Sequence, residues 1–149
     1  MTESPDDLLA LERQVCFALV VASRSVVAAY KPILDPLGLT HPQYLVMLAL
    51  WERSPRSLGD LSETLVLEPA TLSPLIKRLE AAGLVERRRN PLDERSLVIS
   101  LTAEGRALRT RALAVPGRVM ERLGLGVDEL AHARDVLDGL IRAAQEPPQ

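Results

Sequence analysis

Apolar residues recur at three- and four-residue spacing along most of the chain, and strict alternation is confined to a short stretch near residue 99. Leu8, Leu11, Val15, Ala18, Ala22 and Val26 keep one helical register, which predicts an unbroken helix from Pro5 onward. Ser4 caps it, Pro5 suits the first helical position, and Asp6 and Asp7 suit the positive end of the dipole. Leu19, Val20 and Val21 widen the apolar surface beyond one stripe, so this helix needs cover on several sides, most simply from a second subunit. Lys31 to Leu39, with Pro32, Pro36 and Gly38, reads as a break. Thr40-His41-Pro42-Gln43 has capping-box spacing and opens a buried helix, Tyr44 to Glu52.

After a second break at Ser54-Pro55, Ser57 caps a short helix through Leu61 and Leu65, with Asp60 three residues behind the cap. A turn at Val66 to Pro69 leads to a further helix, about Ala70 to Ala82, closed by Gly83. Two short helices joined by a tight turn form a helix-turn-helix pattern. Leu84 to Arg89 is extended and basic, Asn90 to Asp93 is turn chemistry, and Ser96 to Leu101 places Leu97, Ile99 and Leu101 on one face of a strand. Thr102 caps a helix from Ala103 to Val115, expected to stop at Pro116-Gly117. Gly124 and Gly126 leave Arg118 to Val127 unassigned. Asp128 opens a last helix with Leu130, Ala133, Leu137, Leu140 and Ala144 on one side. The expected fold is mainly α with a small β-hairpin wing.

The 149 residues are 47% hydrophobic but only 3% aromatic, so the core is aliphatic and helices are favoured. The acidic, polar opening, Met1 to Asp7, lacks the pattern of a secretory or import signal. The longest apolar runs, such as Tyr44 to Trp51, fall far short of the ~18 residues of a membrane span. A cytoplasmic protein without a membrane partner is expected. One cysteine, Cys16, excludes an internal disulfide, and with two histidines off ligand spacing no metal site or cofactor is expected. Net charge is −2, yet Thr71 to Arg111 holds nine Lys/Arg against five acids, and Glu121 to Gln149 holds three against six. A basic middle between acidic ends can show phosphates one positive face.

Three stretches carry a family resemblance: Gln14-Val15-Cys16-Phe17-Ala18-Leu19, Gly38 to Leu48, and Thr71 to Glu80. Asp93-Glu94-Arg95-Ser96 followed by Leu101 to Gly105 looks like the matching wing and its exit. Together they resemble the MarR family of winged-helix repressors, and more closely its organic hydroperoxide resistance regulator branch. The resemblance implies a homodimer on an inverted-repeat operator in double-stranded DNA. It divides the chain into an N-terminal dimerisation helix with the sensor cysteine (1–35), a winged helix-turn-helix (36–102) and C-terminal dimerisation helices (103–149), intertwined as one domain. Its reactive cysteine matches Cys16, and one of its sulfur-bonding tyrosines matches Tyr30. Two others fall on Val20 and His41, and the second helix begins Glu68-Pro69-Ala70 where the branch has Asp-Ser-Gly.

For DNA, Thr71, Leu72 and Ser73 are expected at base edges, and Lys77 and Arg78 at phosphates or guanine. Arg87, Arg88 and Arg89 line the wing, Arg95 is suited to a narrow minor groove with Asp93 to orient it, and Ser57 is counted with them. For sensing, a peroxide converts the Cys16 thiolate to sulfenic acid; without a second cysteine, either an external low-molecular-weight thiol resolves it or the acid persists. Three turns inside a helix starting at Pro5, Cys16 would lie beyond reach of the dipole, leaving the Tyr30 phenol and the His41 imidazole as local donors. Another reading makes Cys16 a small core residue and the effector a non-covalent aromatic or phenolic ligand. A thiol peroxidase is disfavoured, because no evident activating cluster accompanies Cys16; the protein is not expected to be an enzyme.

Overall fold

A computed structural model describes residues 4–90 and 92–147, leaving aside the side chains of Glu12, Asn90 and residues 93–96. Among the described residues the order is α1 (Pro5–Leu8), α2 (Val15–Leu34), α3 (His41–Glu52), β1 (Arg56–Ser57), α4 (Leu58–Leu65), α5 (Pro69–Ala81), β2 (Val85–Asn90), β3 (Asp93–Leu101), α6 (Ala103–Ala112), α7 (Val115–Leu123) and α8 (Val127–Gln145). Single 3-10 turns occupy Leu11–Arg13 and Asp35–Leu37. The chain divides into two compact units, one up to Leu113 and one from Ala114.

In the first unit, α3, α4 and α5 pack over a three-stranded antiparallel sheet of order β1-β3-β2. Val46, Met47, Leu61, Leu72, Leu79 and Ile99 are wholly buried. The capping signals act as expected. Thr40 Oγ1 accepts the Gln43 N–H while Gln43 accepts the Thr40 N–H, Ser57 Oγ accepts the Asp60 N–H, and Thr102 Oγ1 accepts the Gly105 N–H. Gly105 is required by space, since a Cβ there would lie 2.1 Å from the Leu84 carbonyl oxygen. Its own carbonyl accepts the Trp51 indole N–H at 2.8 Å, tying α3 to α6.

Five expectations are corrected. The first helix is not continuous: α1 ends at Leu8, and Gln14 donates its side-chain amide to the carbonyls of Leu8 and Ala10, satisfying a broken turn before α2 begins. Pro32 lies inside α2 rather than ending it, and Pro116 sits in the first turn of α7, where its missing N–H is harmless, rather than stopping α6. Residues 56–57 form a third strand, pairing Arg56 with Ile99 and Ser57 with Val98. Finally, Val15–Leu37 is, by length and composition alone, long and apolar enough to cross a membrane, which run length had not shown. Only 11% of its most apolar window is buried. Phe17, Leu19, Val20, Val21 and Val27 stand exposed on α2; in the second unit Val136, Leu137, Leu140 and Ile141 do so on α8.

Candidate nucleic-acid interface and redox site

The helix-turn-helix is α4 and α5, with Val66 at φ 54° closing α4. Leu72, Leu75, Ile76 and Leu79 turn one face of α5 into the core. Leu72 is therefore not at a base edge: it is 0% exposed, one of four residues at helical spacing that hold α5 on the body. Thr71, Lys77 and Arg78 are exposed and Ser73 is half-buried, so these four remain available to a groove. Pro74 is exposed in the second turn and brings no N–H, leaving the Ala70 carbonyl without its usual donor.

A buried arginine fixes how α4 meets the sheet. Arg56 is only 8% exposed, with Nε 3.3 Å from an Asp60 carboxylate oxygen that also accepts from Arg53 at 2.8 Å. Among the described residues Arg56 Nε and Nη1 have no hydrogen-bond partner, and Asp60 supplies most of the compensation for that charge. The sequence reading gives Asp60 only as the acid behind the Ser57 cap and passes over Arg56; an Arg-x-x-x-Asp pair across a helix start is the available signal.

Strand alternation splits the three wing arginines. Arg87 and Arg89 share a face with buried Val85, while Arg88 lies on the other beside Glu86, 3.1 Å away. Arg87 is partly engaged inside the subunit: its Nε and backbone N–H both donate to Glu80, each at 3.0 Å. The Arg87 side-chain bond, then its backbone bond, holds the Glu80 carboxyl below the usual carboxylate range. This pair locks β2 to α5. The side chains of Asp93 and Arg95 lie outside the described residues.

Cys16 is exposed and is the second residue of α2, not three turns inside a helix. It stands at the positive end of the dipole, among first-turn N–H groups that make no helical bond. Tyr30 and His41 meet edge to face with ring centroids 4.8 Å apart, and Tyr44, 4% exposed, lies 6.0 Å from Tyr30. Burial lowers the His41 pKa and so favours the neutral ring, which offers a single N–H, over the imidazolium. Burial raises Tyr30; burial, then the neighbouring Tyr30, raises Tyr44. The sequence predicts Tyr44 as the start of a buried helix, and its i, i+3 spacing from His41 places both on one face. Cys16 and Tyr30 are fourteen positions apart on one helix, about 21 Å along its axis at 1.5 Å per residue. One subunit does not bring them together.

Comparison with known proteins places these features. A family model described as transcriptional regulator SarA/Rot matches residues 28–111. The organic hydroperoxide resistance transcriptional regulator of Bacillus subtilis is 38% identical, covering 97% of this chain and 98% of its own. Reduced AbfR bound to DNA superposes with a TM-score of 0.76 at 33% identity, over 96% of this chain and all of that one. AbfR of Staphylococcus epidermidis is also described overoxidised on DNA and with a disulfide formed. MarR of E. coli, at 23% identity and TM-score 0.67 over 85% of this chain and 96% of its own, shares the fold.

Proposed function

The chain belongs to the MarR family of winged-helix transcriptional regulators, on its organic hydroperoxide resistance branch, and from this premise we propose a homodimeric repressor that releases its operator when Cys16 is oxidised. The observation that carries the proposal is the placement of Cys16 in an exposed apolar stretch at one end of α2, with the Tyr30–His41 pair near the other. Two α2 helices packed antiparallel through that stretch bring each Cys16 to the partner's phenol and imidazole. The same packing covers apolar side chains that a single subunit leaves in water. In this reading residues 1–35 and 103–149 build the dimer, and 36–102 form a head that takes α5 into the major groove and the wing into the minor groove. Thr71, Ser73, Lys77, Arg78, the wing arginines and Arg95 then serve as contacts, with Asp93 orienting Arg95 and Ser57 near the backbone. Half-sites fall about one helical turn apart.

The Cys16 thiolate attacks an oxygen of the hydroperoxide, forming S–O and breaking O–O. Sulfur is oxidised by two electrons, and the leaving alkoxide takes a proton from the site or solvent to depart as alcohol. A low-molecular-weight thiol then condenses with the sulfenic acid, releasing water and leaving a mixed disulfide. A reducing cytoplasm suits the resting thiol. Cys16→Ser is expected to keep operator affinity and lose release by cumene hydroperoxide in a gel shift; undiminished release in the variant removes the proposal.

A second reading has one supporting observation. A cavity of about 280 Å³, lined mainly by Val27, Ala28, Leu39 and Pro42, opens beside His41. It suits an aromatic or phenolic ligand, with Cys16 structural. Mass spectrometry after peroxide treatment separates the two: an added oxygen or thiol on Cys16 supports oxidation, and an unmodified Cys16 supports the ligand.

A further inference from the structure

The charged side chains of α5 are Lys77, Arg78 and Glu80, and Glu80 is paired with Arg87. Cations appear only at Lys77 and Arg78, whereas the head of the helix presents an exposed carboxylate, Glu68. Glu68 holds the N-cap position, yet its side chain makes no capping bond. Glutamate is not among the residues that cap well, and Pro69 behind it has no N–H in need of an acceptor. The Glu68 backbone closes the turn instead, its carbonyl accepting the N–H groups of Thr71 and Leu72 at 3.0 Å each. Among the described residues nothing hydrogen-bonds the carboxylate, and its one service to the fold is its charge at the positive end of the helix dipole.

In a helix-turn-helix the first residues of the second helix approach base edges. A carboxylate there is repelled by every phosphate and weakens binding to DNA of any sequence. It becomes favourable only where a base offers it a donor. We propose that Glu68 is a specificity-determining residue that accepts from the N4 amino group of a cytosine in each half-site. Cytosine alone presents a major-groove donor without an acceptor on the same base. Adenine sets N7 beside its amino group, and guanine and thymine offer oxygen acceptors. Discrimination here comes as much from repelling other bases as from holding the right one.

The inference rests on the operator-binding reading above. The test is selection from a randomised duplex pool at one fixed salt concentration, with the full-length wild type, Glu68→Ala and Glu68→Gln. Wild type should enrich a palindrome with one symmetric pair of cytosine positions that Glu68→Ala leaves unselected, the other positions persisting. Glu68→Gln should move the same pair toward adenine, which a glutamine amide bonds at N6 and N7. Replacing those C·G pairs by T·A should weaken wild type about tenfold per half-site and Glu68→Ala less than twofold. Random duplex should bind Glu68→Ala more tightly than wild type. Unchanged base preferences in both variants, or an equal loss on every sequence, overturn the assignment of Glu68 alone. Failure of the wild type to enrich any palindrome overturns the repressor reading and this one with it.

Discussion

Helix α3 buries Tyr44, Val46, Met47, Ala49 and Leu50 within its own subunit, whereas α2, 20 residues to its 12, buries only Ala29 and Leu34. The contrast extends to polar groups. The helix-turn-helix head, from α3 to the start of α6, is fastened by three side-chain caps, the Trp51–Gly105 bond and the Arg56–Asp60 and Arg87–Glu80 pairs. Helix α2 begins at Gln14 with no side-chain cap and presents apolar groups to solvent. A region that closes over its own core is built to keep its shape. A helix that leaves its apolar surface open is built to be completed by something else, and its state then depends on that contact.

The comparison breaks most visibly at Asp60. Asp60→Ala strands the buried Arg56 guanidinium, and unfolding in urea should show a loss of about 3 kcal/mol, the lower end for an orphaned buried charge because Asp60 is itself 33% exposed. The double change Arg56→Met with Asp60→Leu should recover most of it; a single variant as stable as wild type would show that the pair does not hold α4. A charge on α2 sharpens the other side. Val21→Asp should leave the fluorescence of Trp51, in the head, unchanged while sedimentation shows monomers. Operator affinity should fall about a hundredfold, near 2.7 kcal/mol. A variant that remains dimeric would place the subunit contact elsewhere.

The smallest effect belongs to His41. Burial lowers its folded-state pKa below the unfolded 6.5, so the unfolded chain binds the proton first. Its contribution to stability is complete above about pH 6.5 and is lost as pH falls from there through the folded value. Urea midpoints from pH 7.5 to 5 should decline more steeply for wild type than for His41→Asn. Parallel profiles would mean that ring burial is not felt in stability.

Much of the head was legible because its signals are local. Thr40 with Gln43, Ser57 with Asp60, and Thr102 before Gly105 each declare a helix start through residues three apart, and the alternation of Leu97, Ile99 and Leu101 declares a strand. The break between α1 and α2 was hidden because Leu8, Leu11 and Val15 keep helical spacing across it, while the Gln14 amide that satisfies the broken turn has no sequence signature. Strand β1 is two residues long, too short for any period to show. Leu72 was misplaced because the buried face of a short helix is known only once its packing partner is. Tyr44 joined Tyr30 and His41 through tertiary contact between α2 and α3, which spacing within one helix does not report.

The position of Cys16 has one more consequence. The hydrogen-bond ladder of α2 begins with the Ala18 amide on the Gln14 carbonyl, at 3.2 Å, so the sulfur is borne by a residue whose own amide lies upstream of that ladder. Enlarging it by an oxygen atom, or by an entire capping molecule, severs none of the bonds that keep the subunit helical. Such a chemical mark is silent to the polypeptide that carries it and is registered only by whatever surface rests against that first turn.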